Sequence, residues 1–558
     1  DEAIHAEKAD RGSDTLLLKN TSQPRLGFRV NKIYIDSYYM DPQTKKYPEA
    51  NRELMKQFNE GMLVFNYIGH NDPEVGFTGE GLFSRYEMEH LTNTRLPLFI
   101  TITCDYCQFD AEDVSAGENV FLNPSAGAIA LITTTRVVYT DGNDKINQRL
   151  MKRLLERDSN GSPLRIGDVL KLAKRDFNTE IDKNKLNYVL IGDPALKLAY
   201  PEHSIQVTRI NGNSGEKNIE MIPGKNYTVE GEIRSHQNEL LSDFNGYIYY
   251  NLYDKEKQFT TLAHQDKKTW TYTHRPDLLT TGKGTIQNGI FRITVALPID
   301  NSHSGKSGLL NLYAYDESGR EANGYTDKLI VSTAVEPITE DIQGPDIEFA
   351  GINDDSFTEG ILVNNPATFV CKFSDPSGIW NGNSLGKQMT LSLDGACIEE
   401  NVARYYKPIA ESEIPEGEFI YPLPRLSNGL HTLTFKVFDT LGNSSEVTIA
   451  FEVKENSETY TISLEEEPAT ERATISCQDQ NGNDVTESKH TRISVTNTLG
   501  EEIWSYETTE NNPFPLTWNL QDNNGKRVSA GQYYCKGYFE TSAGTIVTPA
   551  KKIVVITQ

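Results

Sequence analysis

The sequence predicts an α/β domain with a parallel sheet over residues 1–200, followed by β-sandwiches at 201–340, 341–455 and 456–558. Up to about residue 200, near-continuous apolar runs such as LVFNYI (63–68) and GAIALITT (127–134) alternate with segments whose apolar residues recur at helical spacing. That is the pattern of parallel strands buried on both faces by crossover helices. Beyond residue 200 the helical period stops, and segments such as YTVEGEI, FRITVALPI and TLTFKVFDTLGN alternate with period two between Gly, Asn, Asp and Pro. A chain of 558 residues, 37% of them hydrophobic, has apolar material for several such cores.

The first domain reads element by element. NKIYIDSYY (31–39) reads as a strand. PEANRELMKQFNEG (48–61) reads as a helix, with Pro48 at its first position, Leu54, Met55 and Phe58 on one face and Gly61 at its end. Strands follow at 63–68, 97–103, 127–134 and 187–194. Helices fit near 114–123, 144–157 and 165–177, the last two from Ile146, Leu150, Leu154 and from Val169, Leu170, Ala173. The final sandwich carries LTWNLQDNNGKRVSAGQYYCKGYF, a strand, an Asn524-Gly525 hairpin and a return strand.

Composition removes several function classes. A formal charge of −25 argues against nucleic acid, whose binding needs clustered Lys and Arg to displace counterions. No stretch reaches the roughly 18–20 apolar residues of a membrane-spanning helix, and the opening DEAIHAEKAD is too charged for a cleavable signal. Six cysteines are too few for a disulfide scaffold, and the acidic charge suits a solvated, secreted or surface protein.

Two strands end on chemically active groups. LVFNYIGHN (63–71) ends at His70, and LPLFITITCDYC (96–107) reaches Cys104. In open α/β sheets ligands sit beyond the carboxyl ends of the strands. If the two strands are neighbours, imidazole and thiol face one crevice. The thiolate is the nucleophile, a nearby imidazole raises its share and can protonate a leaving amine, and the oxyanion needs backbone N–H donors, here Asn71 and Cys104. Each residue also has a plain reading, His70 as a loop residue and Cys104 as a small buried hydrophobe. Cys104 and Cys107 further form a C-x-x-C. A redox dithiol is a competitor, weakened because QFDAED separates it from the next helix start. Zinc is disfavoured, because the next cysteine is Cys371 in another domain. No metal and no cofactor are predicted.

NYIGHN, LPLFITITCDYCQFD and VLIGDPALKLAYP together resemble the gingipain family of cysteine peptidases, across about residues 1–200. The resemblance implies a caspase-like fold, His70 as catalytic histidine and Cys104 as nucleophile. SAGENVFLNPSAGAIALITTTRVVYTDGN (115–143) is similar to the branch that serves as sortase of the type IX secretion system. That branch implies a cell-surface, outer-membrane-associated enzyme. It would remove the C-terminal sorting domains of cargo proteins and pass the acyl group to an amine on anionic lipopolysaccharide. The last domain resembles FlgD-like folds and sorting domains, which implies docking to the outer-membrane barrel protein PorV. The family places glycine after the histidine where Asn71 stands, and Asn tolerates a left-handed backbone. DEAIHAEKAD resembles the tail of the family's acidic loop, so Glu2 or Asp1, with Thr135, are the substrate-pocket candidates; a solvated terminal charge is the plain alternative. The resemblance implies further strands before NKIYIDSYY, so this chain is expected to be a portion of a longer protein or to have part of its first domain unresolved.

Other functions stay open at this level: a freely secreted gingipain-like protease, a noncatalytic surface adhesin, or a thiol–disulfide oxidoreductase using Cys104 and Cys107. In the last domain, DQNGND (479–484) and DNNGKR (522–527) imitate calcium loops but read as hairpins. Cys371 with Cys397 and Cys477 with Cys535 are either disulfides or free thiols.

Overall fold

The computed structural model describes the chain apart from residues 1, 20–24, 72–75, 78–81, 177–183, 265–267, 300–304, 333–340, 354–356, 358–361, 364, 383–385, 400, 410–413, 454–459, 467, 480–482, 484, 486–487, 499, 510–512, 542–543 and 557–558. The chain forms two compact units, one of Asp1–Ile222, Tyr227–Val295 and Asn301–Val335, the other of Pro223–Asn226, Ala296–Asp300 and Glu336–Gln558.

The first unit opens with helices α1 (Glu2–Leu16) and α2 (Pro48–Glu60). Strands β1 (Val64–Ile68) and β2 (Leu98–Ile102) follow, then α3 (Ala116–Phe121), β3 (Ala130–Thr134), α4 (Thr140–Leu154), α5 (Ile166–Arg175), the single turn α6 (Asn184–Asn187) and β4 (Tyr188–Ile191). The four strands form one sheet in the order β1-β2-β3-β4. Every residue of β2 and β3 is buried, as the unbroken apolar runs require. Leu98, Ile100, Ile102 and Ile132 face Ile146, Leu150, Leu154, Val169 and Ala173 of α4 and α5. Phe99, Leu131 and Phe65 face Leu54 and Phe58 of α2 and Val120 of α3. Successive residues point to opposite faces, so one strand feeds both cores. Gly12 brings α1 close to α4, since a Cβ there would fall 2.4 Å from the Asn147 amide nitrogen. Arg11 pairs with Asp144 across the same contact at 3.0 Å.

Two expectations are corrected. The sheet is mixed: β1, β2 and β3 are parallel, but β4 runs antiparallel to β3. The Thr135 N–H donates to the Asn187 carbonyl (3.0 Å), so β4 starts at the carboxyl edge of β3 and has to run back along it. The stretch 31–39 is not a strand; only a 3-10 turn, Ile35–Ser37, forms there. Its alternation serves another surface. The buried Asp36 carboxylate accepts N–H bonds from Ala263 (2.8 Å) and His264 (2.9 Å), Tyr34 sits edge-on to Tyr272, and Lys32 pairs with Asp10 of α1.

Most of the rest of this unit is an eight-stranded sheet, with two small two-stranded sheets beside it. It runs from Asn226–Arg234 through Ile290–Ala296, Leu278–Gln287, Gly246–Tyr253, Leu309–Asp316 and Glu321–Thr326 to His203–Ile210 and Asn213–Ser214. The strands Asn226–Arg234 and His203–Ile210 also pair, so the sheet closes on itself and leaves few free edges. Alternate residues such as Val229, Ile233, Ile248, Leu252 and Leu312 fill its interior.

The second unit holds two further cores. Phe369, Phe373, Phe419, Phe435 and Phe451 fill the first, between strands spanning 346–453. Trp518, Cys477, Ile493, Cys535 and Ile553 fill the second, between strands spanning 461–555. All six cysteines are free thiols, with Cys371 buried and Cys397 exposed. Both calcium-like stretches close on their own aspartates. Asp522 accepts from the N–H of Asn524 and Lys526 (both 2.9 Å), and Asp479 accepts from the Asn483 N–H (2.9 Å).

Among the described residues, Asp341, Asp375 and Asp439 form the one group of three with cation-site spacing, their oxygens within 4.8 Å of one another. Burial pushes the Asp375 carboxyl up to about 7, and the neighbouring carboxylates of Asp439 and Asp341 push the same way. A carboxyl whose folded pKa lies above its unfolded value stabilises the fold while protonated and loses that contribution as pH rises through the folded pKa. Asp375→Asn is therefore expected to raise the unfolding midpoint of this unit at pH 8 by about 4 °C or more, and to change it little at pH 4. Equal shifts at the two pH values in calorimetry would assign the effect to packing.

Candidate active site

The parallel register of β1 and β2 builds the site. Ile68 stands opposite Ile102, and both strands leave the sheet at the same edge. The Gly69 N–H still reaches the Ile102 carbonyl (3.5 Å). His70 and Cys104 then each lie two residues past their strand, at equivalent positions. Cys104 is half-buried and His70 is exposed. The chain turns sharply after the cysteine, where Asp105 takes a left-handed backbone (φ 47°). The left-handed residue is thus Asp105, and Asn71 has no positive φ.

The two turns are held through both backbone and side chain. The Tyr67 hydroxyl donates to the His70 carbonyl (2.8 Å) and the Asn71 amide donates to the Cys104 carbonyl (3.1 Å), which ties the histidine loop to the cysteine turn. The buried His5 of α1 lies edge-on to His70, ring centroids 4.9 Å apart. The Cys104 sulfur sits 3.4 Å from the Val138 carbonyl and 3.5 Å from the Val138 nitrogen. The thiol can donate to that carbonyl, and a thiolate can accept that N–H, so one residue serves both protonation states.

The Cys104–Cys107 turn is clamped between β3 and α3. The Cys107 N–H donates to Thr134 (3.0 Å), and the Gly117 N–H donates to the Tyr106 carbonyl (2.8 Å). Gly117 has to lack a side chain, because a Cβ would fall 2.6 Å from the Cys107 Cβ. The helix beneath begins with a Ser115–Glu118 capping box. Burial pushes the Cys107 thiol up to about 11, against a hydrogen bond from Ser115. A redox pair wants an accessible, low-pKa thiol, so this environment suits a structural Cys107 rather than a dithiol partner for Cys104. Burial also raises the Asp105 carboxyl, with Arg136 opposing it.

The pocket candidates fall in different places. Thr135 is half-buried at the carboxyl end of β3, on the same edge as Cys104. Glu2 stands in the first turn of α1, which is where DEAIHAEKAD lies, so this stretch is helix rather than loop; the Glu2 side chain and Asp1 lie outside the described residues. Sequence reasoning missed His5, Val138 and the side-chain role of Asn71. Only Asn71 carried a signal, its departure from the family's glycine.

Residues 5–199 match the profile of peptidase family C25. No curated protein matches the sequence. Among solved structures, the chain is similar to dimeric latent PorU from Porphyromonas gingivalis, at 24% identity over 78% of this chain and 41% of that one, TM-score 0.34. It is also similar to the Arg-specific cysteine proteinase gingipain R, at 17% identity over 52% of this chain and 57% of that one, TM-score 0.26. The N-terminal Ig1-2 module of the Drosophila receptor protein tyrosine phosphatase DLAR aligns at 11% identity over 38% of this chain and 98% of the module, TM-score 0.22. The chain spans about two fifths of the PorU structure's length and under three fifths of gingipain R's.

A brief pulse of iodoacetamide at pH 8 is expected to label Cys104 well ahead of Cys107. A thiol with pKa about 11 is roughly one part in a thousand thiolate at that pH. Gly117→Ala should displace the turn and slow Cys104 labelling; an unchanged rate, read by peptide mass spectrometry, would show that the clamp does not position the sulfur.

Proposed function

Because residues 5–199 match the profile of peptidase family C25, we propose that the chain is a gingipain-family cysteine peptidase, a cell-surface endopeptidase and sortase acting through Cys104 and His70. One observation carries the residue assignment: the β1/β2 register sets both residues at equivalent positions past one sheet edge. The Cys104 sulfur adds to the carbonyl carbon of the scissile bond, and His70 takes the thiol proton and delivers it to the leaving amine. The oxyanion is met by backbone N–H groups of the Asn71 and Cys104 turns. The product is a thioester on Cys104, which water or an amine opens, returning the proton to sulfur through His70.

The proposed substrate is translocated cargo of the type IX secretion system, cut ahead of its C-terminal sorting domain. An amine on anionic lipopolysaccharide is the proposed acceptor, which requires that water be scarce at the thioester. What supports this finer reading is the resemblance of residues 115–143 to the sortase branch of the family. The last domain is proposed to dock to the barrel protein PorV, holding the enzyme at the outer membrane. Among the described residues no helix is long and apolar enough to cross a bilayer, and a docked enzyme needs none. Glu2, Asp1 and Thr135 remain proposed pocket residues.

Cys104→Ala is expected to abolish processing, so that cargo accumulates with its sorting domain attached. His70→Ala should slow cleavage by about 10²–10⁴-fold, the usual worth of a positioned acid–base group. Normal cargo processing in the Cys104 variant, followed by immunoblot, would reject the assignment. Mass spectrometry of the thioester trapped with a cargo-junction peptide separates acyl transfer from mere binding.

A further inference from the structure

We propose that the substrate segment beside the scissile bond is held by an apolar rim of Phe109, Val137, Tyr139 and Leu186, which selects a large apolar side chain. This deepens the peptidase reading and rests on Cys104 being the nucleophile. The four residues come from two loops and the single turn α6, yet hydrogen bonds tie these segments to Val138 and so to the sulfur. Val138, whose backbone touches the Cys104 sulfur through both N and O, is itself buried. Its neighbours Val137 and Tyr139 point the other way and are 56% and 68% exposed. Arg136 grips Asp110 with both guanidinium nitrogens, at 3.0 and 2.6 Å, which draws the loop carrying Phe109, 58% exposed, to the same place. On the far side the Asn184 amide accepts the Tyr139 N–H (3.0 Å) and donates to the Tyr139 carbonyl (2.6 Å), and the Asn187 amide donates to the Val137 carbonyl (2.8 Å). Leu186, 68% exposed, stands between those two anchors.

Large apolar side chains gathered at a solvent-facing site mark a binding surface, and the proposed rim flanks Val138, the residue that meets the Cys104 sulfur. A substrate whose carbonyl reaches Cys104 is proposed to lay one neighbouring side chain on this rim. The Arg136 guanidinium is already engaged by Asp110, so it is a poor receptor for an acidic side chain. Glu112 and Asp113, exposed on the Phe109 loop, Asp105 beside the nucleophile, and the proposed pocket acids Glu2 and Asp1 are carboxylates that a basic side chain would seek instead, and the experiment separates that outcome.

Three peptidyl acyloxymethyl ketones, identical except for Phe, Arg or Asp next to the ketone, would be reacted with the whole chain. Labelling of Cys104 is followed by mass spectrometry and expressed relative to iodoacetamide, which has no side chain to read. The Phe probe is expected to label at least about tenfold faster than the other two, the scale of hydrophobic-pocket discrimination. In Tyr139→Ser combined with Leu186→Ser that preference should fall toward unity. Equal rates for the three probes, a faster Arg probe, or a preference that survives the double substitution would each overturn the rim. If iodoacetamide labels Cys104 no faster in the wild type than in His70→Ala, the peptidase reading fails first and takes this inference with it.

Discussion

The parallel pairing of β1 with β2 is the constraint from which the site follows. Parallel neighbours in register leave a sheet at the same edge, so the residues that follow each strand start from adjacent positions. Ile68 opposite Ile102 gives His70 and Cys104 the same offset. The pairing is held by burial: β2 has no exposed residue, and its side chains supply both cores of the sheet. A slip of one residue would turn Phe99 into the space of Ile100 and reverse both packings at once.

Around this frame the reactive turn is immobilised by contacts from separate elements. Asn71 holds the Cys104 carbonyl, β3 holds the Cys107 amide, α3 presses on Cys107 through Gly117, and Val138 meets the sulfur. Holding a nucleophile through rigid elements favours the geometry in which it reacts. Cys107 has a structural place in this scheme. Its burial raises its pKa, which keeps it as a thiol, while Cys104, three residues away, stays accessible.

Most of the first domain's elements were legible because each rests on a local pattern. Pro48 and Gly61 bracket α2, the Ser115–Glu118 capping box opens α3, and the unbroken apolar runs become β1, β2 and β3. The misreadings occurred where a distant surface claimed a local pattern. NKIYIDSYY alternates as a strand does, but Asp36 is buried against the backbone of residues 263–264, more than two hundred positions away. The sense of β4 depends on where α6 delivers the chain, and strand sequence carries no mark of that direction.

By itself the sequence determined the strands and helices of residues 48–68, 97–134 and 144–191, that the chain is rich in β structure after residue 200, and that a histidine and a cysteine each follow a buried strand. Side-chain periodicity and chemical type are local properties, readable one residue at a time. The tertiary structure alone decided that β1 and β2 are neighbours in register, that His5 meets His70 and Val138 meets Cys104, and that Asn184 and Asn187 bind the backbone of Val137 and Tyr139. Those are pairings across long sequence separations, set by how two cores close over a single sheet, and no single segment encodes them.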